Sequence, residues 1–364
     1  MMDLRIERLA RILVDYSIEV KEKETVLVSG SSLASPLVKE IYKKILQRGA
    51  YPRLKISLPE IQKIFFDHAG DDQLSHLSLI DMYEAENSDA SIAIQSESNT
   101  SVLTNVEPQK QVSFSLAIKP LKDIILKKNR WALTLFPTEA YAQDAEMSLE
   151  EFEDFVYSAT FADRDDPISQ WKQVSKNQQK IVDILNTVQI IHIIGKDTDI
   201  QMSVTGRKFI NSDGHYNMPS GEVFTGPIEN SVQGHIEFSF PASYQGKEIS
   251  GIRLIFKNGK VTDASAAKNE KFLHRMLEID QGASYVGELG IGNNWGITRC
   301  IKNILFDEKI GGTIHIALGN SYPETGGLNK SALHWDMIKD LRQDGEIYID
   351  GKLFQKNGRF IDLP

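Results

Sequence analysis

The sequence predicts an α/β N-terminal domain with a mostly parallel sheet over residues 1–180. A mainly antiparallel β (α+β) C-terminal domain follows over residues 181–364. Three features lead there. Short apolar runs alternate with amphipathic segments in the first part, a charged helical stretch fills residues 148–186, and tight-turn dipeptides separate β-prone runs beyond it.

Residues 25–30 read as a buried strand built on the apolar run Val26-Leu27-Val28. A helix is predicted over 36–49, with Leu37, Ile41, Tyr42 and Ile45 at helical spacing and Gly49 as its stop. Residues 54–57 and 90–94 read as further strands, with a helix over 61–68 between them. Strands alternating with helices in this order pair in parallel, because the crossing helix returns the chain to the same end of the sheet. Ser148 and Glu151 have the spacing of a capping box. Residues 172–186 carry an apolar stripe on a polar helix, suited to joining two domains.

From residue 188 the pattern changes. Residues 188–194 and 199–204 read as strands, and Asn258-Gly259, Asp350-Gly351 and Asn357-Gly358 as hairpin turns. Helices are expected over 268–280 and 335–342.

The 364 residues exceed what one core organises, and 41% apolar with 25% charged residues is a globular composition. Forty-one basic residues against 50 acidic ones leave a net charge of −9, which argues against nucleic-acid or anionic membrane partners. Cys300 is the single cysteine, so no disulfide framework or all-cysteine metal site exists. Its neighbours Arg299 and Lys302 could lower a thiol pKa, although a lone cysteine also serves as a small packed hydrophobe. Residues 1–8 are charged where a signal peptide needs an apolar core, and no uncharged apolar run approaches the roughly 20 residues that cross a bilayer. A cytoplasmic protein is expected. The nucleophile elbow, the phosphate loop, the dinucleotide fingerprint and the H-E-x-x-H zinc motif are all absent from the sequence.

The chemically informative residues lie in the second half. Glu222 sits in Ser220-Gly-Glu-Val-Phe-Thr-Gly226, Glu288 in Gly287-Glu-Leu-Gly-Ile-Gly292, and Glu308 just before Gly311-Gly312. His315 lies in an alternating apolar run, and His334 and Asp336 share a face if that segment is extended. Taken singly, each has an ordinary reading: a loop acid, a hydrogen-bonded core histidine, a surface charge. Taken together, four carboxylates would repel one another, two divalent ions would cancel their charge, and two neutral imidazoles would complete the shells. That balance fits a two-metal hydrolase, provided the six residues meet.

Five ordered strings then carry a resemblance. They are Pro219-Ser-Gly-Glu-Val-Phe-Thr-Gly-Pro227, Gly287-Glu-Leu-Gly-Ile-Gly-Asn293, Ile304-Leu-Phe-Asp-Glu308, Gly312-Thr-Ile-His-Ile-Ala-Leu-Gly319 and Ser331-Ala-Leu-His-Trp-Asp-Met337. With Leu9-Ala-Arg-Ile-Leu-Val-Asp-Tyr-Ser17 and Phe136-Pro-Thr-Glu-Ala-Tyr-Ala-Gln143, they resemble the thermophilic aminopeptidase family of T, S and PepS type along nearly the whole chain.

The resemblance implies a homodimeric exopeptidase that binds two divalent ions, zinc, cobalt or magnesium, and releases N-terminal amino acids from peptides. It implies Glu222, Glu288, Glu308, His315, His334 and Asp336 as ligands, with Glu288 bridging, and Tyr322 as the active-site tyrosine. Glu222, then Glu288, is the expected proton acceptor, while Glu324 or Asp336 could hold the substrate amine. His215 could face substrate or simply occupy a turn. Two departures from the family stand out. The 18 residues between His315 and His334 are fewer than in well-known members, and the stretch from Glu308 to His315 is longer than in some relatives. The shortened loop keeps open a hydrolase of a small amide. A non-catalytic metal-dependent binding protein is the other alternative.

Overall fold

Tyr51–Ser57, Thr25–Ser31, Ala90–Gln95, Trp131–Leu135 and Asn217–Met218 lie side by side in that order as five parallel strands. The protein is described by a computed structural model over residues 3–128, 130–244 and 246–362. Inner strands of a parallel sheet are covered on both faces, and Val26, Val28, Ile92 and Ile94 are accordingly buried. The helix Ser35–Gln47 packs its Leu37, Ile41 and Ile45 into the core, as their spacing predicts. The helix Ile61–His68 forms where expected. Ser148 caps Leu149–Ala159 while the Glu151 carboxylate accepts from the Ser148 backbone N–H, so the capping box closes.

The chain forms two compact units. One comprises the residues up to Trp171 together with Gly214–Pro219, which supply the fifth parallel strand. The other comprises Lys172–Asp213 and the residues from Ser220 on, and Lys172 lies inside the helix Pro167–Leu185.

The second unit is antiparallel. Its larger sheet runs, in spatial order, Lys260–Ser265, Arg253–Lys257, Gln233–Glu237, Thr198–Ser203, Ile190–Gly195, Glu346–Ile349, Lys352–Lys356 and Arg359–Phe360. The three predicted turn dipeptides close three of its hairpins, each with both residues at positive φ, as in type I′ turns. Its smaller five-stranded sheet runs His334–Asp340, Thr313–Gly319, Val286–Gly292, Glu222–Thr225 and Ile210–Ser212. One face of that sheet is apolar: Val223, Leu289, Ile291, Ile314, Ile316, Leu318, Trp335 and Met337 join the core of the unit.

One expected helix is corrected. Residues 335–342 are not helical; His334–Asp340 is a strand paired along its full length with Thr313–Gly319. Trp335, Ile338 and Leu341 have helical spacing, but a seven-residue ladder with a buried neighbour satisfies the backbone and overrides that local signal. The expected helix over 268–280 is the shorter Glu270–Leu277.

Candidate metal centre

Side chains alternate across a strand, so the face opposite the apolar one collects the polar residues. Ala317 pairs with Glu288 on one side and with Asp336 on the other, which puts both acids in one row. His315 stands two residues along from Ala317, opposite Gly290, and His334 stands two residues before Asp336, opposite Gly319. Glu222 pairs with Gly292. Small residues therefore separate the functional ones on this face. Gly290 is the tightest case: a Cβ there would lie 2.0 Å from His315 Cε1 and 2.3 Å from Nε2. No side chain but hydrogen leaves room for that imidazole.

The resulting distances are short. His315 Nε2 lies 3.2 Å from Glu288 Oε1 and 3.7 Å from Glu222 Oε2. His334 Nε2 lies 3.5 Å from Glu288 Oε2 and 3.6 Å from Asp336 Oδ2. Among the described residues, three triads offer ligand atoms within 4.8 Å of one another: Glu222–Glu288–His315, Glu288–His334–Asp336 and Glu308–His315–Asp336. All six residues singled out in the sequence are thus brought together, and two triads share Glu288.

The donor set fits a divalent ion. Ligands about 2.0–2.1 Å from a tetrahedral ion stand roughly 3.4 Å apart, close to the spacing in the Glu288–His334–Asp336 triad. Glu222 Oε2 and Asp336 Oδ1 are buried with no hydrogen-bond partner, a costly state for a carboxylate that no cation neutralises. His315 Nδ1 faces the Glu308 carbonyl at 3.1 Å, and His334 Nδ1 faces the Asn320 carbonyl at 2.9 Å. A carbonyl only accepts, so each Nδ1 carries a proton and each Nε2 is the atom turned to the acids.

Electrostatics follow from burial and crowding. Glu222 is 4% exposed; burial pushes its carboxyl up to about 7 against the pull of Lys309. Burial works against a charged His315, but the Glu288 hydrogen bond and the Glu222 charge outweigh it and push the imidazole up to about 10. His334 rises too: burial opposes its charge, while Asp336 and Glu288 favour it. Tyr322 packs its ring against Phe224 and His334, with centroids 5.5 and 5.2 Å away. The residue is 39% exposed, yet burial of its hydroxyl and the nearby acids hold that group well above the usual phenol range.

Lys309 was missed by sequence reasoning. It is fully buried, and its ammonium contacts Glu308 and lies 3.5 Å from Glu222 Oε1. Its position directly after a proposed ligand was the available signal, masked by the ordinary look of an adjacent acid–base pair. Glu324 is exposed. His215 belongs to the first unit, where its ring lies 4.6 Å from that of Tyr16. Of the two readings of Cys300, the unactivated one fits: burial and Asp307, to which the thiol donates at 3.3 Å, push it up to about 12.

An α/β unit followed by an antiparallel one that gathers carboxylates and imidazoles on a cleared sheet face is the build of a metal-dependent hydrolase. The chain belongs to the thermophilic metalloprotease family M29, matching it over residues 2–360. It is 28% identical to Aminopeptidase 2 of Geobacillus stearothermophilus over 95% of each chain. Identity to Aminopeptidase T of Thermus thermophilus is 27%, over 73% of this chain and 75% of that one. In fold it matches wild-type AmpT from Thermus thermophilus with a TM-score of 0.86 at 21% identity, covering 98% of this chain and 99% of that one. A 2,5-dihydroxypyridine dioxygenase from Pseudomonas putida KT2440 matches at a TM-score of 0.60 and 15% identity, covering 99% and 96%.

Gly290→Ala is expected to displace the His315 ring and strip metal from a protein that still folds. Elemental analysis of the purified variant beside a circular dichroism melt checks this; undiminished metal content would refute the packing argument.

Proposed function

We propose that the protein is a metal-dependent aminopeptidase that removes N-terminal amino acids from peptides. The observation that carries this reading is the meeting of Glu222, Glu288, Glu308, His315, His334 and Asp336 on one sheet face beside Tyr322. The family and the aminopeptidase names of the relatives support it.

Glu288, His334 and Asp336 would hold a divalent ion of zinc, cobalt or magnesium type where His334 is the most exposed of the six, and Glu222, His315 and Glu308 complete the donor set. When bound, such an ion lowers the pKa of a water and polarises the scissile carbonyl. Glu222 accepts the proton released from the attacking water. Its carboxyl, raised to about 7, is matched to that task near neutral pH, with Glu288 as the second choice. Tyr322 stays protonated because its hydroxyl is held so high, so it donates a hydrogen bond to the oxyanion as charge develops there. The surplus of carboxylates favours a substrate that brings a cationic α-amine, which Asp336, beside the partly exposed His334, receives. A homodimer in the cytoplasm completes the proposal; no described helix is long and apolar enough to cross a membrane.

Chelation is expected to abolish release from leucine- or phenylalanine-amide reporters, and Zn²⁺ or Co²⁺ to restore it. Peptides with acetylated amines should remain intact. Cleavage of blocked substrates at the same rate would favour the small-amide hydrolase instead. Tyr322→Phe should retain its metal and lose about 10²–10³ in kcat, measured by steady-state kinetics alongside metal analysis.

A further inference from the structure

Lys309 is a cation that the chain itself supplies to the acid cluster. Its side chain is fully buried, and its ammonium contacts Glu308 and lies 3.5 Å from Glu222 Oε1. The backbone fixes its root. Lys309 N–H donates to the Phe306 carbonyl at 3.0 Å, and the Asn294 N–H donates to the Lys309 carbonyl at 2.9 Å. A lysine so enclosed reaches water only if its surroundings repack.

We infer that the Lys309 ammonium replaces one of the two metal ions, so that this protein holds a single divalent ion at Glu288, His334 and Asp336. The inference rests on reading these acids and imidazoles as metal ligands, and it departs from the pair of ions that the family resemblance implies.

Charge supports it. Four ionised carboxylates and one ammonium carry three net negative charges before the imidazoles are counted. One divalent ion brings the pocket to within one charge of neutral whether His315 is charged or not; two would leave it net positive. Geometry supports it as well. Glu222 and Glu308 are engaged by the buried lysine, whereas His334 keeps 28% of its side chain exposed beside Glu288 and Asp336. Three protein ligands with an accessible fourth position are what a mononuclear catalytic site requires.

The test is metal stoichiometry. The full-length protein, dialysed against excess Co²⁺ and then against metal-free buffer, is expected to retain one equivalent by elemental analysis. Its paramagnetic resonance should be that of an isolated high-spin ion. Lys309→Met, which keeps the volume and removes the charge, should retain two equivalents with a spin-coupled signal, and Glu288→Gln should lose the single one. Two equivalents in the unaltered protein would overturn the inference, and so would one equivalent in a folded Lys309→Met. If that variant does not fold, the count and spectrum of the unaltered protein decide alone. No bound metal in the unaltered protein would defeat the ligand reading itself, an outcome distinct from two.

Discussion

Like charges held a few ångströms apart in a buried place are the constraint on which the second unit depends. Glu222 and Glu288 are each about 95% removed from solvent, and Glu308 and Asp336 complete the cluster beside them. Such a group persists only with positive charge among its members, from an ion, an imidazolium or an ammonium. The raised carboxyl of Glu222 and the raised imidazole of His315 are two expressions of that need. Lys309 meets part of it with a residue of the chain itself.

The five-stranded sheet reconciles this costly cluster with a stable fold. Its two faces have opposite tasks, and the period of two along each strand keeps them apart. Ile314, Ile316 and Leu318 face the core, while His315 between them faces the acids. A slip of one residue in register would exchange these faces, so the apolar packing that stabilises the unit also fixes the site. Gly290 serves only the polar face, by yielding its volume to the His315 ring.

Fold and chemistry remain separate matters. The chain shares its architecture with an aminopeptidase structure at a TM-score of 0.86 and with a dioxygenase structure at 0.60. A scaffold shared so widely does not choose a reaction; the side chains on one sheet face do. Here those side chains include a buried lysine among the acids, and the charge it carries bears on how many ions the site holds.

Much was legible in the sequence for local reasons. The apolar run of the Thr25–Ser31 strand, the helical spacing of Ser35–Gln47, the Ser148 capping box and the three turn dipeptides each act within a few residues, and these formed as read. The site residues were legible as types, since several acids and two histidines embedded among glycines and apolar runs make an unusual local text. The strand at His334–Asp340 was not, because its neighbour in the ladder, Thr313–Gly319, lies some twenty residues away in the chain. Nor was the role of Lys309, because an ammonium beside Glu308 in sequence looks the same whether it points to water or into a pocket. The sequence by itself determined the elements and the inventory of charges. Only the tertiary structure decided which charges meet, because register and burial are properties of strands brought together from distant parts of the chain.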